Sequence, residues 1–290
     1  MRNTNEALVG LNMIRGIPTS KLTLLREKIK DPFSASYNSL SKILEPSLAG
    51  LICSEKGKIN PRKEIELASK NGIEIVTIDD EEYPENLKTI SDPPIVLYIK
   101  GKILPRDKLS IAIVGSRYSS SYGRNVCSIL SKGLSKLGFT IISGMARGID
   151  TSAHRSCLEE GGRTIAVLGS GLLQVYPAEN KALFEEICKN GAVISEFPLD
   201  TKPFSPNFPR RNRIIAGMSL GCIVVEARER SGALITARLA MESGREVFAV
   251  PGEITKETSK GTNKLIKEGA KPVSDVIDII EELRHIIDIK

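Results

Sequence analysis

Three arginines within four positions, Arg210, Arg211 and Arg213, follow an aromatic ring in the run Phe208-Pro209-Arg210-Arg211-Asn212-Arg213-Ile214-Ile215-Ala216-Gly217. Guanidinium groups bind phosphate through paired N–H donors, and a neighbouring ring offers a face on which a nucleobase stacks. The stretch Lys202–Arg238 holds seven Lys and Arg against Glu226 and Glu229, a net +5 in a chain whose total is +6. The pattern predicts a helix over Arg210–Gly217, which sets the arginines at its positive end; an anion bound there relieves the conflict with the helix dipole. A solvated basic face is the plain reading of any charge run. The ring and the dipole conflict favour nucleic acid or nucleotide.

Three other segments have the character of strand-to-loop junctions. Ile113-Val114-Gly115-Ser116-Arg117 places a glycine directly after an apolar run and a guanidinium beside the turn, an arrangement suited to phosphate. It is neither GxGxxG nor a P-loop, so no NAD or ATP is expected. Ser143-Gly144-Met145-Ala146-Arg147-Gly148-Ile149-Asp150 forms a second bare-backbone loop, with His154 one helical turn beyond Asp150. A helix-start carboxylate bonded to the imidazole is favoured there over a catalytic pair, because no nucleophile accompanies it. Gly169-Ser170-Gly171 is a third loop of backbone donors, and Tyr176-Pro177 reads as a structural turn. Asn263 and Lys264, after Val250-Pro251-Gly252, add polar and cationic reach on the same rim. Glu226 is an acid with no visible partner. His154 and Cys157 are half a metal site without a second half, so no metal is expected.

The elements that must position these residues come from hydrophobic patterning. From Ile73 onward, apolar runs at Ile73–Ile78, Ile95–Ile99, Ile111–Gly115, Phe139–Ser143, Thr164–Leu168, Ala192–Ser195, Cys222–Glu226 and Val247–Val250 alternate with helical stretches. Runs without polar alternation mark a parallel sheet covered on both faces, a doubly wound α/β domain with ligands at the carboxyl ends of its strands. Residues 1–60 differ: Leu8, Leu11, Ile14 and Leu22, Leu25, Ile29 recur at helical spacing, and Gly16, Pro18, Pro32 and Pro46 break the pattern. The expectation is a small all-α N-terminal domain followed by an α/β domain over 61–290 with a C-terminal helix. The turn Gly16–Lys21 is similar to a helix–hairpin–helix turn, but Pro18 removes a donor, and packing is the favoured role.

With 290 residues, 41% hydrophobic and 26% charged, the chain has the composition of a globular protein. No run reaches the roughly 18 apolar residues of a spanning helix, and the N-terminus lacks a signal layout. Five scattered cysteines with no CxxC pair suggest reduced thiols, so a cytoplasmic protein without membrane contact is expected. Aromatics are only 4% and Trp is absent, which leaves few rings for stacking.

Taken together and in order, these blocks resemble the DNA-processing protein A family (DprA, also called Smf) over about residues 65–272. The matching stretches are Gly115–Arg117, Gly144–His154, Tyr176–Pro177, Ser195–Pro198, Phe208–Gly217, Val224–Ala227, Ser231–Ala237, Phe248–Gly252 and Gly261–Ala270. The resemblance implies an extended Rossmann-like domain that binds single-stranded DNA without catalysis. It also implies a homodimer and loading of the RecA recombinase onto incoming strands during natural transformation. The residues expected to bind DNA are Gly115, Ser116, Arg117, Gly144, Arg147, Gly171, Phe208, Arg210, Arg211, Asn212, Arg213, Asn263 and Lys264, with no catalytic, cofactor or metal residues. The helical N-terminus is similar to the sterile-alpha-motif-like domain of some members. A winged-helix domain, carried by many, is not expected here. The apolar side of the 265–283 helices is one candidate for the dimer contact. The alternative is a nucleotide hydrolase like the lysine-decarboxylase-like phosphoribohydrolases. Their PGGxGTxxE block is absent, because a long insert separates Pro251-Gly252-Glu253 from Gly261-Thr262-Asn263.

Overall fold

The computed structural model describes residues 5–286. Five α-helices open the described residues: α1 (Glu6–Met13), α2 (Thr19–Lys28), α3 (Tyr37–Leu40), α4 (Pro46–Glu55) and α5 (Pro61–Lys70). Asn5, Ser36 and Asn60 cap α1, α3 and α5 through their side chains, and Pro46 and Pro61 occupy first helical positions, where the missing N–H is not needed. Leu8, Leu11, Ile14, Leu22 and Leu25 are buried, as the helical spacing required, while Ile29 is half-buried. Helix α5 packs on both α1 and the first strand, and its Glu64 carboxylate accepts the Leu199 N–H at 2.8 Å.

The remainder is one nine-stranded sheet flanked by helices. In chain order it runs β1 (Ile73–Thr77), α6 (Glu85–Lys88), β2 (Val96–Gly101), β3 (Ser110–Val114), α7 (Ser121–Lys136), β4 (Thr140–Ser143), α8 (Ile149–Glu159), β5 (Thr164–Val167), α9 (Lys181–Asn190) and β6 (Ala192–Ser195). It continues with α10 (Asn207–Met218), β7 (Gly221–Val224), α11 (Gly232–Glu242), β8 (Glu246–Ala249), α12 (Glu257–Lys267), β9 (Lys271–Pro272) and α13 (Val276–Leu283). All eight apolar runs are strands. The ninth, β9, is two exposed residues and carried no apolar signal.

The spatial order is β1-β2-β6-β5-β4-β3-β7-β8-β9; β6 through β9 are parallel, while β1 and β2 add an antiparallel edge. Strands β3 to β7 and β8 are almost entirely buried on both faces, which is why their sequences do not alternate. From β3 the chain winds outward through β4, β5 and β6, then returns past β3 to lay down β7 on its other side. Strand order therefore reverses between β3 and β7, and a crevice opens beyond their carboxyl ends. On α13, Ile279, Ile280 and Leu283 are buried in the core shared with α7, while Ile277 stays 53% exposed. Among the described residues no helix is long and apolar enough to cross a membrane.

Candidate nucleic-acid interface

The crevice between β3 and β7 opens into a cleft of about 550 Å³. Gly115, Ser116, Arg117 and Tyr118 from the end of β3 line one wall, and Arg228, Arg230 and Ser231 after β7 line the other. Phe208, Arg211 and Asn212 on α10 form the floor between them. A smaller adjoining cavity includes Gly144, Arg147, Gly169 and Pro177, and shares Arg117, Tyr176, Phe208 and Arg211 with the cleft.

Phe208 is the organising ring. Arg117 lies over it at 5.5 Å from the centroid and Arg211 at 6.0 Å, while Tyr176 tilts against it at 5.7 Å and 49°. Two guanidinium groups on one ring combine cation–π attraction with donors left for an anion. Arg117 is exposed. Arg211 is buried, and its Nη1 donates to the carbonyls of Gly144 (2.8 Å) and Val167, at the ends of β4 and β5. Its Nε donates to Asn212 Oδ1 at 3.1 Å, and its Nη2 makes no hydrogen bond among the described residues. Burial pushes this guanidinium below its usual range, and the nearby Asp150 carboxylate opposes that shift. Gly144 lets the guanidinium come close: a Cβ there would stand 2.6 Å from Arg211 Nη2 and would push it aside.

Asp150 and His154 are not partners, so the helix-start carboxylate does not bond the imidazole. Asp150 accepts the backbone N–H groups of Gly144 (3.1 Å) and Ala146 (3.3 Å) and so holds the β4–α8 loop closed. Burial raises its pKa, and Arg211 pulls the other way. His154 Nδ1 sits 2.7 Å from Thr164 Oγ1, and that hydroxyl donates to the Ile141 carbonyl. The imidazole therefore donates from Nδ1, and its Nε2 is buried without a partner. Burial pushes its pKa down to about 3, which keeps it neutral. Glu226 is engaged as well: it accepts the Ser120 N–H (2.8 Å) and hydroxyl (2.5 Å) at the start of α7. Among the described residues no group of three metal-binding side chains exists.

The arginine run divides. Helix α10 starts three residues earlier than the sequence predicts, so its arginines lie in the second turn and the dipole conflict is weaker than expected. At about 100° per residue, only Arg211 turns to the cleft. Arg213 is buried on another face, where its guanidinium bonds both Glu196 oxygens (2.8 and 2.9 Å) and Asp92 (3.1 Å). Arg210 pairs with Glu196 at 3.0 Å, lies over Phe197, and donates with Arg213 to the Thr19 hydroxyl. The Gly16–Lys21 turn therefore packs on the α/β region through Thr19. Arg147, at the mouth, is held by Glu179 at 2.7 Å.

Gly171, Asn263 and Lys264 are not brought to the cleft. The Gly171 N–H is taken by the Thr201 carbonyl, and its Cα is pressed against the 198–199 backbone. The Asn263 amide bonds both backbone groups of Gly252, and Lys264 faces Glu268 at 3.7 Å. Sequence reasoning missed Tyr176, taken for a plain turn, and Arg228 and Arg230, which it only counted. Their position just past the carboxyl end of β7 was the available signal.

The family model of DNA recombination-mediator protein A matches residues 74–284. A Synechocystis Protein Smf is 43% identical over 226 residues, covering 77% of this chain and 57% of that protein, so the chain spans little more than half of this relative's length. The X-ray structure of DNA processing protein A from Streptococcus pneumoniae superposes with a TM-score of 0.85 at 36% identity, covering 97% of this chain and 99% of that one. DNA processing protein A from Helicobacter pylori, whose structure is described for its single-stranded DNA binding mode, gives 0.65 at 30% identity over 73% and 96%. Sequence blocks, sheet order and these likenesses agree that the chain belongs to the DNA recombination-mediator protein A family.

Proposed function

We propose that the chain captures single-stranded DNA in the cleft between β3 and β7, protects it, and hands it to RecA during transformation or recombination. One observation carries the reading: Arg117 and Arg211 converge on the Phe208 ring at the sheet's reversal point. Arg117, Arg228 and Arg230 grip phosphates from the rim, where no carboxylate among the described residues pairs with them. Phe208 and Tyr176 offer ring faces to a base, a contact that tolerates any sequence. No bond is made or broken. The likeness to the Helicobacter pylori protein supports this ligand; a homodimer acting in the cytoplasm with RecA as partner is what the sequence resemblance implies and is proposed on that ground alone.

The test is a gel shift of single- against double-stranded oligonucleotides over a salt series. The expected result is a strong single-strand preference, with affinity falling about 0.7 log unit per log salt for each phosphate contact. Equal affinity for duplex, or release of free base from nucleoside monophosphates, would overturn it and favour the hydrolase alternative.

A further inference from the structure

The cleft does not end at Arg117. That residue and Tyr118 also line a second, shallower hollow of about 450 Å³, on the far side of the 115–120 turn. Its walls are the turn itself, the first turns of α7 and the outer face of α8. Gly148 makes the close junction possible: its φ is 75°, and a Cβ there would stand 2.2 Å from the Ser116 carbonyl.

The charge in this hollow is one-sided. Arg124 donates to the Ser119 carbonyl at 2.6 Å and to the Ser121 hydroxyl at 3.3 Å, which hold its guanidinium in place without neutralising it. Arg155 is exposed and has no ion-pair or hydrogen-bond partner among the described residues. The acid in the lining, Glu159, is paired with Lys132 at 2.9 Å. Ser152 and Ser156 add hydroxyls to the lining, whereas the Thr151 hydroxyl is already committed to Ala146 and Asn180. On the ridge between cleft and hollow stands Tyr118, 81% exposed. A large ring left in water, flanked by unneutralised guanidinium groups, fits the stacking-plus-phosphate chemistry of single-strand grooves.

We propose that this hollow is a second binding site, taking the phosphodiester backbone of the strand as it leaves the cleft, with Tyr118 stacking at the crossing and Arg124 and Arg155 contacting phosphates. The proposal rests on the cleft holding single-stranded DNA, and sets the side on which the strand exits.

The experiment compares oligothymidylates of about 5 and about 15 nucleotides, the range of site sizes typical of such grooves. Fluorescence anisotropy is read over a salt series for the full chain and for the double variant Arg124→Ala/Arg155→Ala. Both side chains lie at the surface, so thermal unfolding should match wild type. Wild type should bind the longer strand more tightly and with the steeper salt slope. The double variant should bind the longer strand about tenfold more weakly, with a slope shallower by about 0.7 per lost contact, while the short strand is unaffected. Lys63→Ala/Lys70→Ala on α5, an equal loss of charge, should change neither. Unchanged binding of the long strand by the arginine variant, or equal loss on both lengths, would overturn the second site. Failure of the cleft reading shows separately, as unchanged short-strand binding by Arg230→Ala, because Arg230 lines the cleft and not the hollow.

Discussion

Arg211 and Arg213 sit two residues apart on α10, and both are buried, yet they are held by different means. Arg213 is closed in by the carboxylates of Glu196 and Asp92 and has nothing left to offer a ligand. Arg211 is held by the carbonyl ends of β4 and β5, which orient its guanidinium and leave Nη2 uncommitted beside the cleft. The contrast teaches that a buried arginine's role follows from its counter-groups. Full ion pairing makes a brace, while carbonyl dipoles make a positioned cation.

The largest test of that contrast is Arg213→Met. It strips Glu196, 1% exposed, of its better partner, so chemical denaturation should show a loss of about 3 kcal/mol. DNA affinity per folded molecule should not change; a stable variant that fails to bind would place Arg213 with the cleft instead. Acid probes the structural side in another way. His154 has its folded pKa pushed below the unfolded value, so its contribution is complete above about pH 6.5 and is lost as pH falls toward 3. Stability measured across that window should drop by about 1.4 kcal/mol per pH unit from this group.

On the cleft side, Phe208→Ala should weaken single-strand binding by about 1–3 kcal/mol through lost stacking. Leaving out the ring also frees Arg117 and Arg211, so a Phe208→Tyr protein that keeps wild-type affinity would sharpen the assignment. Arg230→Ala should cost about tenfold in affinity, lower the salt slope by about 0.7, and leave the melting temperature in place. Smallest of all, Glu179→Gln releases Arg147 at the cleft mouth. Anisotropy titrations should then show affinity rising by about two- to threefold, since an exposed ion pair binds its partner weakly.

Much of the fold was legible because parallel strands buried on both faces write themselves as unbroken apolar runs, from Ile73 to Val250. Strand β9 was not, since Lys271 and Pro272 pair at an edge without apolar side chains. Arg117 and Phe208 could be read from their place beside a strand end and a basic run. The division of the arginine run could not. It depends on where α10 begins and on Glu196 and Asp92, which are distant in sequence from part of that run. Asn263 shows the converse: a polar residue after a strand-end glycine suggested the rim, and its amide is consumed by the Gly252 backbone.

Thr19 accepts from Arg210 and Arg213, and Glu64 accepts from Leu199, so the N-terminal helices are bolted to the frame that carries the cleft floor. Helix α10 then acts as a beam, with the cleft floor on one side and the helical head anchored on the other. Any tilt of that beam would move the floor and the head together, so a substitution that loosens the head should also disturb the placing of Phe208 and Arg211.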